Sequence, residues 1–165
     1  MNIIATSNCP DQSARWLVDK HMKLGLETCQ MLCTAYHLQG IQAPYKPTHP
    51  KHPSNIWIRA SYDNFQWAIA HGHAIFDEYT ARYGKIHKSQ AVLDWCEENV
   101  SKLRFDTFDL TPFAIAISED SICRTLPEFE LLPATEKYVR YVQYDKKHLH
   151  AWKRNKPWWA EDLKN

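Results

Sequence analysis

Residues 54–83, SNIWIRASYDNFQWAIAHGHAIFDEYTARY, carry the longest helical rhythm in the chain. Ile58, Tyr62, Phe65, Ile69, Phe76, Tyr79 and Tyr83 recur at the three-and-four spacing that stacks side chains on one face of an α-helix. Pro53 stands where the first turn of a helix tolerates proline, and Gly84 where a left-handed stop is needed. Gly72 is the place inside the run that invites a bend. Similar rhythms on both sides predict a mainly α protein, a single-domain bundle over residues 1–165 with long Pro-rich loops, built from about five helices.

A second stripe runs beside the apolar one. Trp57, Ser61, Asn64, His71, Glu78 and Arg82 share one side of the helix and lead to a basic corner at Lys85, His87 and Lys88. Cations in a last turn are also what the helix dipole favours on its own account. Upstream, Lys20 to about His37 forms another helical pattern, apolar over most of its circumference through Met22, Leu26, Cys29, Cys33, Leu24, Met31, Ala35 and Leu38. Lys23, Glu27, Gln30, Thr34 and His37 nevertheless line up as a narrow polar seam, in which Lys23 and Glu27 can also pair one turn apart. Between the two helices, Pro44, Pro47, Pro50 and Pro53 stiffen a loop that would hold Lys46, His49 and His52 in place.

The flanks are expected to be simpler. Asn8 and Pro10 start a short helix to about Asp19, Lys88 or Ser89 begins another to about Leu103, and Ala134 to Arg154 forms the last. Ile3-Ile4-Ala5 reads as an edge strand or a packed arm. Residues 104–133 read as irregular, with Phe113 to Ile117 as a short strand. Trp158 and Trp159 are expected to dock onto the body, since large rings are costly to leave in water.

Composition narrows the function. A hydrophobic fraction of 44% with seven Trp, eight Tyr and six Phe supports an ordinary core. No apolar run reaches the roughly 18–20 residues of a membrane span. The first residues are too short for a signal peptide, so a soluble intracellular protein is expected. Five Cys without framework spacing fit a reducing compartment rather than a disulfide scaffold. A net charge of +1 excludes a binder resting on a long track of phosphates, so phosphate recognition must be local. No phosphate loop, nucleophile elbow or HExxH is present, and no cofactor or metal site is expected.

If the two seams face each other they enclose a cavity. Arg82 would fork onto phosphate oxygens, while Lys23, Lys46, Lys85, Lys88, His49, His52 and His87 would supply charge. Gln30, Ser61, Asn64 and Glu78 would hydrogen-bond a ligand, and Trp57 or Trp67 would stack on a base. Glu27 is the candidate general acid or base. The expected partner is a nucleotide or short nucleic acid, with no membrane; a homo-oligomer sharing the pocket is compatible with the sequence.

Three blocks carry a resemblance. They are Asp19-Lys20-His21-Met22-Lys23 with Glu27 to Ala35, Thr48-His49-Pro50-Lys51-His52-Pro53 with Trp57, Arg59, Ser61, Asn64 and Trp67, and Glu78 to Lys85 with His87-Lys88-Ser89. Together with Tyr138 to Trp152, they resemble a family of small, mostly uncharacterised bacteriophage proteins. The resemblance implies expression in a bacterial host cytoplasm and a nucleotide ligand of host defence that is captured or degraded. More distantly, the order of a helix with His and Glu, then His-Pro and a long helix, is similar to the phage pyrimidine-dimer glycosylases of the endonuclease V type. That similarity implies an alternative, a DNA N-glycosylase with lyase activity on damaged or modified pyrimidines. An N-terminal amine would then be the nucleophile and Glu27 the matching acid. Asn2 follows Met1, a pairing in which the initiator methionine is expected to stay.

Overall fold

The computed structural model describes residues 1–160. Its central element is a long helix that begins later than the apolar rhythm suggests. Ser61 takes an extended backbone (φ −151°, ψ 160°), and its hydroxyl accepts the Asn64 amide at 3.1 Å, so it caps a new helix instead of continuing an old one. The run is therefore two helices, α3 (Pro53–Ala60) and α4 (Tyr62–Tyr83). The helix passes unbroken through Gly72. That glycine is explained by close approach, since a Cβ there would lie 3.0 Å from Leu93. Gly84 ends α4 in the left-handed region (φ 71°), its amide bonding to the Thr80 carbonyl at 2.8 Å.

Helices α1 (Pro10–Arg15), α2 (Leu24–Leu38), α3 and α5 (Gln90–Glu98) all pack against α4. A 3₁₀ turn, Asp19–Lys23, leads into α2. The last helix, α6 (Ala134–Arg140), is shorter than its pattern and runs on as a π turn, Tyr141–Asp145, and a 3₁₀ turn, Lys147–Leu149. Its end is pulled out of the helical path by side chains. The His150 ring bonds the Val142 carbonyl at 2.8 Å, and the Asp145 carboxylate accepts the amides of Ile122 and Cys123 at 2.6 and 2.9 Å.

Two apolar clusters flank α4. One gathers Leu32, Tyr36, Trp57, Ile58, Phe65, Phe76, Leu93 and Phe113; the other gathers Leu17, Val18, Ile75, Phe129, Tyr138, Val142 and Trp159. The N-terminal arm lies between them, Ile3 and Ala5 entering the first and Ile4 the second. Each buried Ile contributes roughly 1.5–3 kcal/mol, which fixes an arm that has no ladder of its own. Residues 113–117 form no strand among the described residues. Side chains bond part of their backbone instead, with Ala116 N–H donating to the Tyr138 hydroxyl (2.9 Å), Tyr138 donating to Ala114 O (2.7 Å) and Asn2 Nδ2 donating to Ala116 O (2.9 Å). Of the two terminal indoles, Trp159 docks edge-on to Trp16 at 6.0 Å, whereas Trp158 stays 71% exposed.

Candidate functional site

The arm delivers the chain's α-amine to the first turns of α2. Asn2 is the anchor: it is buried, its Oδ1 accepts the Ile3 amide at 2.8 Å and its Nδ2 donates to Ala116 O. The Met1 α-amine consequently lies 4.0 Å from Glu27 Oε2, and the Asn2 backbone nitrogen lies 3.3 Å from the same oxygen. Ile4, next along, is held at φ 55°, an unusual conformation for a β-branched residue and one that costs about 1–3 kcal/mol. Burial in the second apolar cluster offsets that strain.

Amine and carboxylate share a cleft of about 260 Å³ bordered by His21, Lys23, Tyr141, Lys146, Ala116 and Ser118. Burial, and then the charges of Lys146, Lys23 and His148, push His21 down to about 4, so its ring is neutral at pH 7. Four cationic or imidazole groups thus gather on one side of a molecule whose net charge is +1.

The Pro-rich loop is also part of this neighbourhood. The lower half of the α2 seam pins it: Thr34 Oγ1 accepts the Thr48 amide at 3.0 Å, and the His37 ring meets Tyr45 O at 2.7 Å. From α3, Asn55 Nδ2 donates to Thr48 O at 2.9 Å and Arg59 donates to Pro50 O. His52 Nδ1 accepts the Ser54 amide at 3.1 Å, so a neutral ring carries its proton on Nε2. Its pKa is lowered by burial first, then by the terminal ammonium and His49, with Glu27 opposing; it therefore senses both members of the amine–carboxylate pair. His49 sits at φ 42°, immediately before Pro50.

The remaining residues expected to line the pocket are engaged elsewhere. Trp57 and Trp67 are buried, packed on each other and on Phe113, and donate to Thr111 O and Asn8 O, so neither offers a face to a base. Asn64 is tied to Trp57 O and to Thr111 on both sides of its amide, and Ser61 is a helix cap. Arg82 is an internal clamp. Its guanidinium donates to Glu78 (3.0 Å), Asp19 (2.9 Å), Leu17 O (2.8 Å) and Arg15 O (3.0 Å), leaving no fork for a phosphate. Glu78 also receives Asn155 at 2.9 Å and borders a separate hollow with Asp11, Arg15 and Arg154. Glu27 and Arg82 therefore do not border a common cavity.

At the basic corner, the His87 ring stacks on Phe76 at 4.9 Å and its Nδ1 accepts the Ser89 amide, while Lys85 and Lys88 are exposed. Lys46 is exposed on the loop and Gln30 is half-buried one turn beyond Glu27. Of the residues expected at the site, the structure gathers Glu27, Lys23 and His52, with His49 next to them. Reading the residues by helical angle alone missed His21, Tyr141, Lys146 and the backbone amine. The one residue signal for the arm was the apolar run Ile3-Ile4-Ala5, all three of which are buried; the amine itself entered only through the glycosylase resemblance. No family model, curated protein or solved structure matches this chain, so its geometry carries the functional reading.

Proposed function

We propose that the chain is a DNA N-glycosylase with lyase activity on damaged or modified pyrimidines, using its terminal α-amine as nucleophile and Glu27 as the proton-transfer group. The observation that supports this reading is a primary amine held 4.0 Å from a half-buried carboxylate in a cleft with a cationic rim. α-Amines as a class give up their proton more readily than lysine, and an unprotonated amine is what such a reaction needs. The nitrogen attacks C1′ of the deoxyribose, the C1′–N bond to the base breaks, and the base leaves with the bonding pair and takes a proton from water. Glu27 takes the proton released by the attacking nitrogen and returns it to O4′ as the sugar ring opens to an imine. The same carboxylate then removes a C2′ proton, the C3′–O bond to phosphate breaks, and water hydrolyses the imine. Lys23 and Lys146 hold the flanking phosphates. Should Met1 be removed, the Asn2 nitrogen, already 3.3 Å from Glu27, becomes the amine, so the chemistry is served by either terminus.

Nicking of an abasic-site duplex tests this directly. The wild-type chain should nick it, and a Gly-Ser extension ahead of Met1 should abolish nicking while leaving the unfolding transition unchanged. Nicking that survives the extension refutes the amine's role.

A second reading keeps the ligand and drops the chemistry: the cleft holds a phosphate-bearing nucleotide, and the phage resemblance makes a host-defence signal its natural identity. Its support is the size of the cleft, about 260 Å³ with two lysines on its border, which suits a nucleotide's phosphate end. Calorimetric binding of mono- or cyclic nucleotides without any nicking would favour this reading over the first.

A further inference from the structure

On another part of the arm, Thr6, Ser7, Asn8 and Cys9 border a cavity of about 670 Å³ whose other walls come from α1, α6 and the C-terminal indoles. This volume falls in the range of small-molecule sites. Trp16, Trp158 and Trp159 all border it, and Trp158 stands 71% exposed, a large ring without a packing partner of its own among the described aromatic pairs. Two further atoms are unusual there. Thr6 Oγ1 and Trp159 Nε1 belong to residues only 4% and 2% exposed, and neither has a hydrogen-bond partner among the described residues. Both atoms are shielded from the open space of the cavity, so they mark loose polar packing in its wall and are not themselves contacts for a ligand.

The charge balance limits what the cavity can hold. Arg140 is answered by Glu128 at 3.7 Å and donates to Gln143 at 3.0 Å, and Glu136 adds a negative charge to the same wall. No phosphate clamp is assembled. What remains is an indole platform with amide and hydroxyl groups of Asn8, Gln12, Thr135 and Gln143 around it, which suits an uncharged planar ring with hydrogen-bonding edges.

We infer that this cavity binds a planar nucleobase stacked on Trp158, as a site separate from the Glu27 cleft and independent of the amine chemistry. The base comes either from a free nucleoside or from an unpaired position of a single strand.

Cys9 supplies the test, because it is exposed on the cavity's border while Cys29, Cys33, Cys96 and Cys123 are buried. Alkylation of the native protein with N-ethylmaleimide, followed by intact mass, is therefore specific to Cys9. Adenosine, guanosine, cytidine and thymidine at about 1 mM, and a short single-stranded oligonucleotide, are the probes, a concentration that fills most of a site of sub-millimolar affinity. At least one probe should slow alkylation about fivefold or more, the slowing expected when most of the protein is occupied. The effect should vanish in Trp158→Ala, an exposed position where the fold tolerates truncation. Protection by nucleosides identifies the free base as the source, and protection by the oligonucleotide alone identifies the strand. An unchanged alkylation rate with every probe, or protection that persists in Trp158→Ala, overturns the inference.

Discussion

At the residue scale the protein separates two carboxylates that look alike in sequence. Glu27 faces a free amine and a cleft, whereas Glu78 is consumed by Arg82, Asn155 and Arg154. Glu27→Gln keeps shape and hydrogen bonding and loses only the proton-transfer capacity. It should lower the nicking rate about 100-fold or more, the usual yield of general acid–base catalysis, with DNA affinity changed by less than about threefold in the same titration. His71 supplies a second prediction at this scale. It is fully buried beneath Trp67, neither ring nitrogen has a partner among the described residues, and burial pushes its pKa down to about 3. Below the ordinary histidine pKa of 6.5 the unfolded chain takes up a proton that the folded chain refuses, so stability is full above that value and falls as pH drops toward 3. His21, lowered to about 4, adds in the same direction. Urea unfolding of His71→Leu should therefore lose roughly 1.6 kcal/mol less than wild type between pH 6.5 and pH 5, at about 1.4 kcal/mol per shifted proton per pH unit with the unfolded histidine half protonated at the upper end. Equal losses would show that His71 is charged or solvated in the folded state. Glu27 was legible in the sequence as a polar residue on an apolar helix; the amine came only with the glycosylase resemblance, because a backbone amine carries no side-chain signature.

At the element scale, the polar stripe of α4 turns out to be an assembly device. Ser61 and Asn64 fix the start of the helix against α3 and Thr111, and Arg82 near its end ties it to the carbonyls of Arg15 and Leu17 and to Asp19. Helical spacing identified the correct face, but spacing cannot distinguish a seam facing a hollow from a seam facing another backbone. That distinction rests on α1 and the 3₁₀ turn after it, whose carbonyls consume the guanidinium. Arg82→Met should cost about 3–5 kcal/mol in urea unfolding, since it leaves Glu78 and Asp19 buried or half-buried without their main cation. At a temperature where the variant remains folded, its nicking rate should match wild type. A tenfold loss there, the equivalent of 1.4 kcal/mol, would place Arg82 in the site after all. The break at Ser61 was hidden for a similar reason: the apolar rhythm continues across the cap because α3 and α4 bury the same side in one core.

At the scale of the whole molecule, an almost neutral chain concentrates its useful charge. Lys23, Lys146 and His21 border one cleft, while most other cations are paired or exposed elsewhere. DNA affinity should therefore weaken only about 10- to 100-fold between 50 and 200 mM salt, the dependence of two to four phosphate contacts, and not the several thousandfold of a long basic track. The mainly α architecture followed directly from periodicity. The placement of the arm between two apolar clusters, which creates the site, depended on contacts more than a hundred residues apart, such as Asn2 with Ala116 and Tyr138. The most direct measurement is borohydride trapping on an abasic-site oligonucleotide, followed by peptide mass mapping and intact mass to fix the terminal residue. A reduced adduct is expected on the N-terminal peptide, at the α-amine of Met1 or Asn2. No adduct, or an adduct on Lys23 or Lys146 with the α-amine unmodified, would contradict it.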